Sequence, residues 1–189
     1  MEGLLSSNLL SKASIFGSSG GSNIKSYQSG VFTLSTLTGN ITIASVGTSK
    51  SIVITRAVYS NNTGDVATFE ISSSLSSSTN IALTRYNPAP VSVPTVLIYW
   101  EVIEFNNVKS KQTGTMSVSS NSSESTQTIS NVNPIKCLAF ATRSVDTNLS
   151  PNQGQHMFGI KVASSTSIAI RQQISGVTCS YEWQVIEFN

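Results

Sequence analysis

The sequence predicts an all-β protein: two tandem antiparallel β-sandwich domains of about six strands each, related by internal duplication and preceded by an extended N-terminal arm. Three observations carry this. Charged residues make up only 11% of the 189 positions, and Ser, Thr and Asn fill the polar ones. A helical bundle would need Ala, Glu, Lys and Leu instead. Short apolar-alternating runs are separated by turn formers such as "TGN", "NNTGD" and "NPAPVSVP", and all five prolines fall in such gaps, as ladder-bonded strands require. Finally, the chain repeats itself.

The repeat is read by laying the halves over each other. "NIKSYQSG" at Asn23 matches "NVKSKQTG" at Asn107, and "TRAVYSN" at Thr55 matches "TRSVDTN" at Thr142. "TNIALT" at Thr79 matches "TSIAIR" at Thr166, and "WEVIEFN" at Trp100 matches "WQVIEFN" at Trp183. The four matches keep their order, at offsets of 84, 87, 87 and 83 residues. The shared run "VIEFN" alone would arise by chance at one register with odds of roughly one in a million. The chain therefore divides into an arm (1–22), a first repeat (23–106) and a second repeat (107–189), with no linker between the repeats.

Within the first repeat, strands are expected near Val31–Leu37, Ile41–Val46, Ser51–Ser60, Val66–Ser72, Asn80–Tyr86 and Thr95–Phe105. "VFTLSTL" and "ITIASV" place apolar side chains at every second residue, so one face of each is buried. The second repeat follows the same scheme, with "NPIK" and "NLSPNQGQ" as gaps.

The closing strand is different, because both of its faces are largely apolar. One face carries Val96, Ile98, Trp100, Val102 and Glu104; the other carries Leu97, Tyr99, Glu101, Ile103 and Phe105. A strand wet on one side would alternate cleanly. One face is therefore expected to cover a core and the other to meet the sister domain or another subunit. The interface candidates are Tyr99, Trp100, Ile103 and Phe105, with Trp183, Ile186 and Phe188 in the second copy. Glu104 and Glu187 interrupt the apolar pattern at matching positions. A carboxylate in such surroundings needs a partner, and the matched Arg56 and Arg143 suggest the ion pairs Arg56–Glu104 and Arg143–Glu187. The alternative is that both carboxylates reach solvent at the sheet end.

No catalytic constellation is legible. His156 is the sole histidine, and a Ser–His–Asp site needs an orienting carboxylate and a nucleophile beside it; Asp146 is the only aspartate of that half. The acidic residues that recur in both repeats suit a structural role better than a single glycosidase pair. No enzyme activity, cofactor or metal site is expected: there is no phosphate loop or clustered-Asp calcium loop, and two cysteines make no zinc site. Cys137 and Cys179 either pair or remain buried thiols. A formal charge of +2 without a basic cluster argues against nucleic acid. No apolar run approaches the roughly 20 residues of a membrane span. The "NIT" and "NLS" sequons suit the Asn/Ser/Thr-rich composition and are read as accidental. A carbohydrate site would need an aromatic platform with amide or hydroxyl donors, for which Tyr59 and Tyr86, and also Tyr27, are the candidates.

The arm carries Leu4, Leu5, Leu9, Leu10, Ile15 and Phe16. Glu2 at its start, and the Ser and Asn among the leucines, are unlike a secretory signal. It reads either as an anchoring arm whose leucines fill grooves on a partner or as a leader ending in the linker "GSSGGSN".

The repeat also resembles a recurrent module of tailed-bacteriophage virion proteins. That module opens on Ile-Lys-Ser-x-Gln-x-Gly, continues with a Thr-Ile-x-x-Val-x-x-x-Lys strand pair and closes on an aromatic-rich "WQVVEF"-like strand. Ile24, Lys25, Ser26, Gln28 and Gly30 match the opening, as do Val108, Lys109, Ser110, Gln112 and Gly114. Ile43, Val46 and Lys50, and Ile129, Val132 and Lys136, match the middle. The closing strand is also similar to the last strand of trimeric H-type lectin domains, without their sugar-contact pattern. The resemblance implies a virion surface protein, assembled in the host cytoplasm: a head decoration or fibre protein, or a tail or collar attachment protein. It implies a homotrimer that contacts capsid or tail proteins through the arm, with a lectin-like module recognising host-surface glycan as the alternative.

Overall fold

Strand β1 (Ile24–Leu34) starts inside the opening motif rather than after it. The computed structural model describes residues 23–59, 71–85, 95–119, 122–146, 158–172 and 178–189. The arm residues Leu4, Leu5, Leu9, Leu10, Ile15 and Phe16 lie outside the described residues, as do Tyr86 and His156. After β1 come β2 (Thr38–Thr42), β3 (Ser51–Tyr59), β4 (Ile71–Ser77), β5 (Asn80–Arg85) and β6 (Val96–Phe105). The second half repeats the series as β7 (Val108–Val118), β8 (Glu124–Thr128), β9 (Cys137–Asp146), β10 (Phe158–Ser164), β11 (Ser167–Gln172) and β12 (Cys179–Phe188). All-β architecture and duplication are as expected.

Each half is a pair of three-stranded antiparallel sheets. The orders are β1-β6-β3 with β2-β5-β4, and β7-β12-β9 with β10-β11-β8. In both halves the closing strand is central in its sheet, zipped to the opening strand on one side. The inward faces meet in a sandwich core. In the first half it holds Leu34, Val53, Ile81, Leu83, Ile98 and Val102; in the second, Val118, Ile168, Ile170, Tyr181, Trp183 and Val185. Each fully buried aliphatic side chain contributes about 2 kcal/mol.

The segment after β2 leaves the ladder, yet its apolar residues stay in the core: Ile43 and Val46 are buried. Their N–H groups donate to the turn carbonyls of Thr79 and Ser78, and Ile129 and Val132 repeat this on Thr166 and Ser165. A 3-10 turn, Thr48–Lys50 or Pro134–Lys136, then leads into β3 or β9.

Two strands run where the sequence pattern did not place them, for one physical reason; residues 66–70 of the expected Val66–Ser72 strand lie outside the described residues. The inward residues of the early part of β1 are Ser26, Gln28 and Gly30, and β4 is written "ISSSLSS". Both strands are polar where apolar alternation was the signal, so the alternation rule passed over them.

Candidate functional site

The recurring motif residues converge on the end of each sheet where the first strand begins and the last strand ends. Ser26 lies opposite Glu104 across the β1–β6 ladder, and Ser110 opposite Glu187 across β7–β12. Glu104 is 2% exposed and accepts from Lys25 Nζ at 2.9 Å, Ser26 Oγ at 3.1 Å and the Gly47 N–H at 3.0 Å. Glu187 has the same set: Lys109 Nζ at 2.9 Å, Ser110 Oγ at 3.1 Å and the Asn133 N–H at 2.9 Å. Each carboxylate clasps the opening strand and the loop ahead of the 3-10 turn.

The expected pairs Arg56–Glu104 and Arg143–Glu187 do not form. Arg56 is opposite Tyr99, well along β6 from Glu104, and its guanidinium lies 3.5 Å from Glu101 on the outer face. Arg143 turns inward instead: it is 4% exposed and donates to Cys179 Sγ at 2.8 Å. The two arginines are not structural equivalents. Opposite the matched tryptophans stand Thr55 and Ala141, an offset of 86 rather than 87. A register shift in the β9–β12 ladder between Ser180 and Tyr181 absorbs the extra residue. A one-residue slip sends a side chain to the opposite face.

Electrostatics follow the geometry. Burial pushes the Glu104 carboxyl up, but the bonds from Lys25, the Gly47 N–H and Ser26 outweigh it and hold the group below its ordinary 4.5. For Glu187 the Lys109 bond is the largest influence, aided by the Asn133 N–H against the opposing effect of burial, and the result is again a lowered value. A carboxyl depressed on folding stabilises the protein above its unfolded pKa, and that stability is lost as pH falls through the folded value. Wild-type stability should therefore fall below about pH 4.5 more steeply than that of a Glu104→Gln, Glu187→Gln double variant. Urea midpoints taken across that range measure it; parallel acid limbs would remove the clasps from the account.

The rest of the opening motif is equally occupied. Gln28 brackets Ala44, accepting from its N–H at 2.7 Å and donating to its carbonyl at 3.0 Å; Gln112 does the same to Ser130. Gly30 and Gly114 lie opposite Trp100 and Trp183, and a Cβ at either glycine would come within 2.7 Å of the indole. Motif start and motif end thus specify one another. The signal available in the sequence was that both motifs recur together in each copy.

The interface candidates divide between two surfaces. Trp100 and Trp183 belong to the inner faces, packed on their own sandwich cores, which corrects their assignment to an interface. Ile103, Phe105, Ile186 and Phe188 form an outer cluster with Ile52 and Leu138 that joins the two halves. Phe105 and Phe188 meet edge to face with centroids 5.1 Å apart. Of the two coverings expected for the second face of the closing strand, the sister half is the one observed. Tyr99 stays 40% exposed.

Around this cluster the outer face of the second half sits against the side of the first. Lys111 Nζ donates to the carbonyls of Thr48 and Ser51 at 3.0 and 2.6 Å. Gln184 Nε2 donates to the Val53 carbonyl on β3 at 3.2 Å, and the Ser73 N–H on β4 reaches Thr142 Oγ1 at 3.4 Å. Burial lowers Lys111 to about 8. A cleft of about 430 Å³ remains between the halves, lined by Thr48, Ser73, Lys111, Thr113, Glu182 and Gln184 among others.

Cys137 and Cys179 do not form a disulfide. They stand opposite Glu187 and at the far end of β12 respectively, about 25 Å apart at the usual strand rise. Among the described residues no group of three or more His, Cys, Asp or Glu side chains comes together, and no helix is long and apolar enough to cross a membrane. Tyr59 ends β3. No protein-family model matches the chain, and no curated protein or solved structure matches it.

Proposed function

We propose that the chain is a non-enzymatic structural component of a bacteriophage virion, an oligomeric, trimeric surface protein of the head decoration, fibre, tail or collar type. The observation that carries this is how the repeated residues are used. Lys25, Ser26, Gln28, Gly30 and Glu104, and their copies in the second half, are committed to bonds or close packing inside the fold. A motif kept in both copies and spent on scaffold suits a module that assembles, and the motif resemblance supplies the virion setting. In this reading the N-terminal arm, with Leu4, Leu5, Leu9, Leu10, Ile15 and Phe16, docks on capsid or tail protein.

The test places the protein on purified particles by immunogold labelling and compares full-length chain with chain lacking residues 1–22. Labelled particles, with attachment lost on truncation, are expected. Unlabelled particles end the virion reading; attachment by the truncated chain ends the role of the arm.

A lectin-like receptor-binding module is the second reading. The hydroxyl-rich cleft between the halves, with Lys111 and Glu182 on its wall, favours it. A glycan array with wild type and a Glu182→Ala variant separates the readings, since a lectin requires binding and its loss.

A further inference from the structure

Where Ile103 and Phe105 meet their own counterparts Ile186 and Phe188 the contact between the halves joins like residues, but around that cluster it joins unlike surfaces. The second half contributes the outer face of its β7-β12-β9 sheet; the first contributes its 3-10 turn and the edges of β3 and β4. Such a contact is head-to-tail, and in a duplicated chain it leaves one copy of each surface over. The spare part of the outer face, beyond Ile52, Ile103 and Phe105 which the contact already buries, is on the first half, and the spare turn and edge are on the second.

The chemistry of those spare surfaces is not that of the used ones. Lys111, which reaches the turn at Thr48, is replaced in the first half by Tyr27. By ladder register Thr115 and Glu182 are replaced by Val31 and Tyr99. On the opposing surface, Ser49 of the turn is replaced by Ile135. Among the described residues the exposed large apolar side chains are Tyr27 (36%), Val31 (55%), Val58 (49%), Tyr99 (40%) and Ile135 (91%). Register puts Val58 on the same outer face, opposite Leu97. All five therefore lie on the two spare surfaces, four on the face and one on the turn. Scattered exposed apolar residues need no explanation; this distribution does.

We infer that a second copy of this chain occupies the spare face: the outer face of the first half (Tyr27, Val31, Tyr99) packs on the 3-10 turn and β9–β10 edge of the next chain's second half, with Ile135 at its centre. The geometry repeats the turn-and-edge part of the contact already made within the chain, without the Ile103–Phe105 cluster that the chain has already buried. The face is also continuous with that contact, since Tyr27 lies directly opposite the buried Ile103. Two polar positions differ. Glu101 stands where Gln184 caps an edge carbonyl, and a carboxylate cannot donate there. Lys161, on the edge strand where the first half has Ser74, is opposite in sign to Glu101, although each already has a neighbour of opposite charge, Glu124 at 3.7 Å and Arg56 at 3.5 Å. The inference deepens the assembly reading above and names its interface; whether the assembly belongs to a virion is a separate matter.

Complementation tests it. Val31→Asp disables the face and Ile135→Asp disables the turn; both side chains are exposed in the isolated chain, so circular dichroism and thermal melts should match wild type. Native mass spectrometry of full-length wild type should give a multiple of the 20.1 kDa chain, and each variant a monomer, with the contact weakened at least about 30-fold. Mixed together, the two variants retain one intact face and one intact turn, so they should form a one-to-one dimer and nothing larger. A monomeric wild type overturns the inference, as do variants that disrupt unequally or a mixture that stays monomeric. Self-association confirmed in this way, on a protein missing from particles, would defeat the virion reading alone.

Discussion

Gly114→Val is expected to destabilise the protein by about 3 kcal/mol, with its counterpart Gly30→Val costing less. A Cβ at either position would lie 2.7 Å from the Cζ2 atom of the facing indole. No side chain tolerates that separation, so the ring or the strand must move. The two sites differ in how much the ring can yield. Trp183 is 6% exposed and sits within the second core, whereas Trp100 is only partly buried against the first. Overpacking costs typically 1–3 kcal/mol and sometimes more where neighbours are fixed. Urea denaturation of both variants measures the difference; equal losses would mean that ring burial does not set the cost.

Ile186→Ala is expected to cost about 3 kcal/mol and to change the shape of unfolding as well. Ile186 is fully buried, and it lies in the cluster shared by the two halves rather than in either sandwich core. Removing three carbons leaves a cavity against Ile103 and Phe105, with the usual cost of 2–5 kcal/mol. Because the lost contacts are those that couple the halves, the single cooperative transition expected of wild type should split or broaden. Ile98→Ala, at an equally buried site inside the first sandwich, provides the comparison: it should lower stability without separating the transitions. Differential scanning calorimetry distinguishes them through the ratio of van't Hoff to calorimetric enthalpy.

The all-β class and the duplication were legible because they depend on patterns that repetition amplifies. The doubly apolar closing strand was legible too, and its second face found the sister half. Other features were hidden by particular residues. The beginning of β1 carries Ser26, Gln28 and Gly30 inward, so its buried side is polar and alternation is silent. Arg56 and Arg143 align in the sequence and so point to arginine partners for the carboxylates; a bulge near Ser180 makes that alignment false in space. Lys25 sits 79 positions from Glu104, a separation that only the strand pairing closes. The exposed residues Tyr27 and Ile135 carry no periodic signal, and their meaning appears only when each is set beside its counterpart in the other copy.

In both halves the peptide that leaves the last strand returns to the one that entered the first: the Asn106 N–H donates to the Asn23 carbonyl, and the Asn189 N–H to that of Asn107. Entrance and exit are thus neighbours, and a new module can be spliced at that doorstep without a tether. Lengthening the polypeptide by whole repeats, or cutting it at one doorstep and rejoining it at another, would disturb no ladder. Growth of such a protein by unequal recombination meets no topological obstacle.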